Sequence, residues 1–312
     1  MPGVDLVLNT RALRLRVGSA ERRDLLRVAE REGARVHEPE GLGALAGTAR
    51  SIAERGSDGV VVAGGDGSFM RTLSALTRAY GDAPLPPVGL APGGTVGTVA
   101  RNLGIRRRDA GRRTVRAACR GETSLVPVPT LLVRDDQGDA VVGFIAGTGL
   151  VARFFDVYHA APAPGLKAAA GIAARVFVGS LFGRPLARHI LSPMPLGITV
   201  DGERQAAGAW SVVVASVLRD VGLHFLVTYR AGKEPGRFHV VASGLPPHRL
   251  GPQMTRVLLG QPLAGEPRVD ALAQNVRIDF AGDGGSYVVD GDVLRARSIV
   301  IESGPLLRMM VP

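Results

Sequence analysis

Residues 64–68 read Gly64-Gly65-Asp66-Gly67-Ser68 and follow the apolar run Val60-Val61-Val62-Ala63; a helix-compatible run begins at Phe69. Glycines at a strand end tolerate positive φ and let backbone N–H groups come close to a ligand. A helix starting there adds unbonded N–H groups and the positive end of its dipole. Together these make a cradle for phosphate. Asp66 does not belong in a plain anion cradle, because a carboxylate repels phosphate. It can bind a cation that travels with the phosphate, accept a proton, or cap the helix, a position Asp favours. A second turn, Gly93-Gly94-Thr95, also follows a short apolar run and precedes a helix-compatible stretch. Two such turns on one parallel sheet would face a single ligand from two sides.

Neither standard phosphate cradle is present. A Walker loop needs a lysine after its glycines, and the only two lysines, Lys167 and Lys233, follow no such loop. A dinucleotide fingerprint needs a third glycine, but Gly65-Asp66-Gly67 is followed by Ser68-Phe69-Met70.

The elements that must carry these turns can be read from periodicity and end signals. Residues 4–8, 34–37, 58–63 and 88–91 read as strands, and 19–32, 43–55, 68–80, 95–102 and 109–120 as helices. Ser19 or Ala20 near its N-cap and Gly33 past its end frame the first helix, and Gly56 stops the second. Alternating strand and helix is the pattern of a parallel sheet with crossover helices. The texture changes near residue 122. Short strand-like runs follow at 125–133, 141–146, 210–217, 224–229 and 237–242, separated by turn residues such as Asp135-Asp136-Gln137-Gly138 and Asp201-Gly202. One Ala- and Gly-rich helical region, 150–182, interrupts them and suits close helix packing. The expected architecture is an α/β N-terminal domain over 1–122, a parallel sheet flanked by helices, then an all-β-rich sandwich domain over 123–296 with a helical insertion.

Composition narrows the function classes. Of 312 residues, 46% are hydrophobic, which supplies a sizeable core. No window holds the roughly 18 uncharged apolar residues of a membrane-spanning helix; the most apolar candidate, 164–183, contains Lys167 and Arg175. The N-terminus lacks a basic and then apolar leader pattern, and the single cysteine, Cys119, fits a reducing compartment. A cytoplasmic protein is expected. The net charge of +10 favours anionic head groups or phosphates. Nucleic acid is not expected, since aromatics are only 4% and no basic patch carries stacking rings. The densest basic cluster, Arg106, Arg107, Arg108, Arg112 and Arg113, reads either as a solvated helix face or as a patch for an anionic membrane surface. The second reading would make the protein peripheral at the inner membrane face.

The chain resembles the diacylglycerol kinase catalytic-domain family, which includes bacterial lipid kinases and sphingosine kinases. The resemblance rests on Gly-Gly-Asp-Gly-Ser before an apolar helix, and on Gly93-Gly94-Thr95 before a helix ending Ala100-Arg101-Asn102-Leu103-Gly104-Ile105. Asn9-Thr10 stands where the family has Asn-Pro after its first strand. Phe144-Ile145-Ala146-Gly147-Thr148-Gly149 resembles the opening of its second domain, and Asp290-Gly291-Asp292 its Asp-Gly-Glu.

That resemblance implies an ATP-dependent lipid kinase. The γ-phosphate of ATP, with Mg²⁺, would pass to a diacylglycerol-like or sphingoid hydroxyl in a cleft between the domains. Residues 297–312 would return to the first domain. Asn9, Thr10, Gly64, Gly65, Gly67, Ser68, Gly94 and Thr95 match nucleotide-contacting positions. Asp66 matches the carboxylate at the centre of the metal network, and Asp290 and Asp292 the carboxylates at the cleft, with Asp292 as general base. The pattern departs in three places. Gly97 and Thr98 replace an Asn and an Asp, Lys233-Glu234-Pro235-Gly236-Arg237 replaces an acidic metal-binding stretch, and Asp292 replaces Glu. A nucleotide-binding or scaffold homologue without catalysis, and a kinase for a non-lipid alcohol, are the alternatives.

Overall fold

A computed structural model describes residues 3–94, 97–105, 109–163 and 165–312. The chain divides into two compact units, residues 1–130 with 305–312, and residues 131–304.

In the first unit, strands β1 (Val4–Leu8), β2 (Arg35–His37), β3 (Gly59–Gly64), β4 (Val88–Pro92) and β5 (Ser124–Val128) are joined by helices α1 (Ala20–Glu32), α2 (Leu42–Arg55), α3 (Asp66–Tyr80), α4 (Thr98–Asn102) and α5 (Ala110–Arg120). β2, β1, β3 and β4 lie side by side and parallel. The last strand of the chain, Leu307–Val311, enters this sheet between β4 and β5, parallel to the first and antiparallel to the second. Every residue of β1 and β3 is buried, as in strands covered on both faces, and Asp5 is the one charged residue among them. Val4, Leu6, Leu8, Val61, Ala63 and Ala91 point to one face and pack with α1 and α5. The period of two turns the alternate residues toward the other face, where α2 and α3 pack together.

Local signals end the helices as predicted. Ser19 Oγ accepts the Arg22 N–H at 3.3 Å, and Gly33, at φ 75°, donates back to Ala29 and Glu30. The helix predicted over 95–102 is described only from Thr98 onward, behind Gly97 at φ 62°.

The second unit opens with β6 (Leu131–Asp135), β7 (Ala140–Gly143) and β8 (Ile145–Gly149). Three helices follow, α6 (Leu150–His159), α7 (Leu166–Leu181) and α8 (Pro185–Leu191), where one helical region was expected. Then come β9 (Met194–Val200), β10 (Glu203–Arg204), β11 (Ala209–Trp210), β12 (Val212–Ser216) and β13 (Phe238–Ser243). Short helices α9 (Pro247–Leu250) and α10 (Met254–Leu258) precede β14 (Arg268–Ala273), β15 (Asn275–Phe280), β16 (Gly285–Val289), β17 (Asp292–Ala296) and β18 (Ser298–Ser303).

Two antiparallel sheets result. One runs β10-β9-β15-β18-β6-β7 with β11 also on β9; the other runs β14-β13-β12-β8-β16-β17. The helices α6 to α8 pack on the second sheet through Val212, Val214 and Val241. The expected return of residues 297–312 divides: β18 pairs with β15 and β6 in the second unit, and only Leu307–Val311, now β19, joins the first sheet.

Residues 224–229, predicted as a strand, form turns instead. Leu223 and His224 have φ of 53° and 62°, which no extended strand accommodates. Asp220 Oδ1 takes the Gly222 N–H at 2.8 Å and closes the turn that precedes them. Among the described residues, no single helix is long and apolar enough to cross a membrane.

Candidate active site

The strands of the first unit deliver both glycine turns to one edge. β3 ends at Gly64, α3 begins at Asp66, and β4 ends at Pro92 beside Gly93. Gly93 N–H donates to the Gly64 carbonyl at 2.7 Å. A Cβ on Gly94 would lie 2.5 Å from the Gly65 Cα, and one on Gly64 would lie 2.5 Å from the Ser68 Cβ. The absence of side chains at 65 and 94 therefore lets the turns pack backbone to backbone, and its absence at 64 makes room for Ser68. The sequence suggested that the glycines clear space for a ligand; the structure shows that they also clear space for each other.

Asn9 joins this edge from the end of β1. Its N–H donates to the Ala63 carbonyl at 2.9 Å, and its Nδ2 donates to Ser68 Oγ at 2.7 Å. Asn9 Oδ1 accepts the Arg11 N–H at 2.9 Å, forming an Asx turn in which Thr10 sits. Gly67 and Ser68 lie in the first turn of α3, a 15-residue helix with no side-chain cap. The first intrahelical bond of α3 is Phe69 N–H to Gly65 carbonyl, so the N–H groups before it point out of the helix end without an intrahelical acceptor. Thr95, the other nucleotide-contact candidate, lies outside the described residues, as do Arg106, Arg107 and Arg108.

Asp66 does not cap its own helix. Its Oδ2 accepts the Thr98 N–H at 2.7 Å and its Oδ1 the Val99 N–H at 3.2 Å, so it caps α4. Desolvation by the protein around it pushes its pKa up, opposed by these two hydrogen bonds and by the charge of Arg101. Gly97 and Thr98, which break the family pattern in sequence, are the residues that form this cap. Gly97 supplies the left-handed entry, and Thr98 supplies a backbone donor.

Arg101 was not singled out from sequence. Its Nε and Nη2 are buried and have no hydrogen-bond partner among the described residues. A guanidinium with unmet donors beside an uncapped helix end offers charge to an anion. The signal available in sequence was its place as the one basic residue of the short helix after the second turn.

In the second unit, Asp290 and Gly291 form the two-residue loop between β16 and β17, with Val289 and Asp292 as the closing pair. Both loop residues have positive φ, 46° and 96°, as a tight hairpin of this length requires. Asp290 also accepts the Phe144 N–H at 3.0 Å and the Ile145 N–H at 2.9 Å, which anchors the loop to the start of β8. Asp290 is thus a holding group, and the half-buried Asp292 is the first residue of β17. Gly291 lies against the Phe155 ring of α6. Phe155 packs at centroid distances of 5.7 Å on Phe154 and 5.9 Å on Tyr158, forming an aromatic wall beside the hairpin.

Two regions raised by the sequence fall outside these sites. Arg237 pairs with both Glu234 and Asp201 at 3.5 Å, so an arginine neutralises the stretch where the family pattern has a metal-binding acidic group. Arg112 pairs with Asp24 at 3.2 Å, while Arg113 is exposed.

An uncapped helix end, two interlocked glycine turns and a carboxylate braced by the next helix form one edge of a parallel sheet, where α/β folds bind ligands. Residues 7–130 match the diacylglycerol kinase catalytic domain. None of the curated proteins matches the chain. A Bacillus anthracis structure described as a diacylglycerol kinase superposes with a TM-score of 0.64 at 13% identity, covering 99% of this chain and 97% of that chain. A second Bacillus anthracis structure, provisionally assigned as a diacylglycerol kinase, gives 0.72 at 15% identity over the same shares. At these identities the likeness is one of fold, and it spans residues of both units.

Proposed function

We propose that the protein is a lipid kinase that transfers the γ-phosphate of ATP to a lipid hydroxyl. The observation that carries this reading is the edge formed by Gly64, Gly65, Gly67, Ser68 and Gly94 at the uncapped end of α3, with the unmet donors of Arg101 close by. The N–H groups and Arg101 bind the phosphates, and Asn9 fixes Ser68 for the same task. A cavity of about 450 Å³ lies beside the end of β4, lined in part by Arg14, Glu21, Asp24, Pro92 and Arg112, and neither the glycine-turn residues nor Asp66 nor Arg101 line it.

No group of three or more His, Cys, Asp or Glu side chains able to hold a metal occurs among the described residues. Mg²⁺ carried by a nucleotide would need only one or two protein carboxylates beside phosphates and water. Asp66 is that carboxylate, with a lone pair left on each oxygen after its two N–H bonds. The ion supplies neutralisation of phosphate charge. Asp292 takes the proton of the acceptor hydroxyl, and Asp290 holds the loop that carries it. The aromatic wall of α6 beside that loop favours an acyl or sphingoid acceptor over a polar alcohol.

Calorimetry with ATP, followed by labelled-phosphate transfer to diacylglycerol, monoacylglycerol and sphingosine, tests the proposal. ATP binding with transfer to one of these lipids is expected. ATP binding without transfer to any lipid overturns the lipid-kinase reading and leaves a nucleotide-binding homologue. Arg101→Met should weaken ATP binding about tenfold or more through loss of charge-assisted bonds. Unchanged affinity removes Arg101 from the site.

A further inference from the structure

The cavity beside the end of β4 is bounded by residues at the start of α1 and the start of α5, within the first unit. Its volume of about 450 Å³ lies in the size range of small-molecule sites. Leu15, Leu25 and Ala91 form an apolar floor, each no more than 3% exposed.

Four charged side chains line the same space, Arg14 and Arg112 of one sign and Glu21 and Asp24 of the other. Asp24 is already matched, by Arg112 at 3.2 Å and Arg27 at 3.5 Å. The Arg14 guanidinium and the Glu21 carboxylate make no hydrogen bond or ion pair among the described residues. The cavity thus holds one unmatched charge of each sign beside an apolar floor.

That combination rejects the simpler ligands. Inorganic phosphate or a plain carboxylic acid would suit Arg14 but stand against Glu21. An amine alone would suit Glu21 and stand against Arg14. A neutral apolar molecule would cover the floor and take both charges from water without giving them partners. A molecule with an anion, a cation and an apolar side chain meets all three demands, and an apolar α-amino acid is a small molecule of that kind.

The wall of the cavity also touches the second glycine turn. Arg14 N–H donates to the Gly93 carbonyl at 3.3 Å, and the Leu15 side chain lies where a Cβ on Gly93 would come within 2.5 Å of it. Gly93 in turn donates to the Gly64 carbonyl. A ligand held on Arg14 and Leu15 therefore steadies the edge assigned to phosphate without occupying it.

We propose that this cavity is an effector site for an apolar α-amino acid, with the carboxylate on Arg14, the ammonium on Glu21 and the side chain on Leu15, Leu25 and Ala91. Its effect on ATP rests on the kinase reading above; the binding itself does not.

Calorimetry of the full chain without ATP tests the binding. Leucine and phenylalanine are the probes, and saturable heat is expected. Leucine amide lacks the carboxylate and isocaproate lacks the ammonium, so each should bind about tenfold more weakly or worse. Inorganic phosphate should give no heat. Arg14→Gln and Glu21→Gln should each weaken leucine binding about tenfold. Arg14 is exposed and Glu21 partly so, and an unchanged melting curve shows that each variant folds. Saturating leucine should tighten ATP binding about fivefold, and ATP should tighten leucine binding by the same factor.

The proposal is overturned if neither amino acid binds, if a singly charged analogue or phosphate binds as tightly as leucine, or if both variants bind leucine as the wild type does. Equal ATP affinity with and without leucine overturns the effector role. Leucine binding is read without ATP, so failure of the kinase reading and failure of this site are told apart.

Discussion

Asp5 and Asp66 are carboxylates at opposite ends of one parallel sheet, the first near the start of β1 and the second just past the end of β3. Asp5 has no solvent exposure and is crowded by donors. Arg35 reaches both its oxygens at 3.1 and 3.0 Å, Arg55 lies at 2.9 Å, His37 at 2.8 Å and Ser57 at 2.7 Å. Burial alone would raise its pKa, but the bonds from His37, Arg35 and Ser57 together outweigh it and hold the carboxyl well below the usual range. Asp66 receives only two backbone N–H groups, and desolvation prevails to push it up. One end of the sheet uses a carboxylate to tie β1, β2, α2 and the start of β3 together. The other end has a carboxylate that caps α4 with two backbone N–H bonds and is less compensated for its burial, as the proposed role of Asp66 requires.

The largest test of this contrast is Asp5→Ala. It strands two arginines around a buried void and should cost about 3–5 kcal/mol of stability, read by urea unfolding. A loss below about 1 kcal/mol would show that the network adds little. Asp66→Asn should leave stability within about 1 kcal/mol while lowering phosphate transfer about 100- to 1000-fold, roughly 3–4 kcal/mol of activation free energy. Retained transfer would remove Asp66 from the chemistry.

Gly94→Ala probes the same edge through packing. The added Cβ meets Gly65 backbone, which cannot swing aside, so a loss of about 1–3 kcal/mol is expected together with weaker ATP binding.

The smallest effect is a difference in sign. The folded pKa of Asp5 is depressed, so its stabilisation is present above the usual carboxylate range and is lost as pH falls through and below it. The folded pKa of Asp66 is raised, so its contribution is present at low pH and is lost as pH rises through the folded value. Stability measured against pH for Asp5→Ala and Asp66→Asn should therefore depart from the wild-type curve in opposite directions. Parallel departures would mean that the two ends are not treated differently.

Much of the first unit was legible in sequence. Helix boundaries at Ser19, Gly33 and Gly56 came out within a residue or two, because caps act within a few residues. In the second unit, β9 and β14 to β17 were missed; they are short, and β14, β15 and β16 pair with strands far along the chain. Residues 224–229 failed for the converse reason: their strand-like side chains are overruled by positive φ at Leu223 and His224. Of the site, the glycine turns and Asn9 were legible from motif and order. The α4 cap on Asp66 was not, because Thr98 is 32 residues away and contributes only its backbone.

The sequence by itself determined that two glycine turns follow two strands and open two helices, since glycine tolerance, capping and apolar period are properties of a few neighbouring residues. Tertiary structure alone decided what those features do. Pairing β3 with β4 in register brings Gly65 against Gly94, Asp66 to α4 and Arg101 into burial without a partner. Each depends on contacts between segments distant in the chain, and no local preference encodes which segments meet.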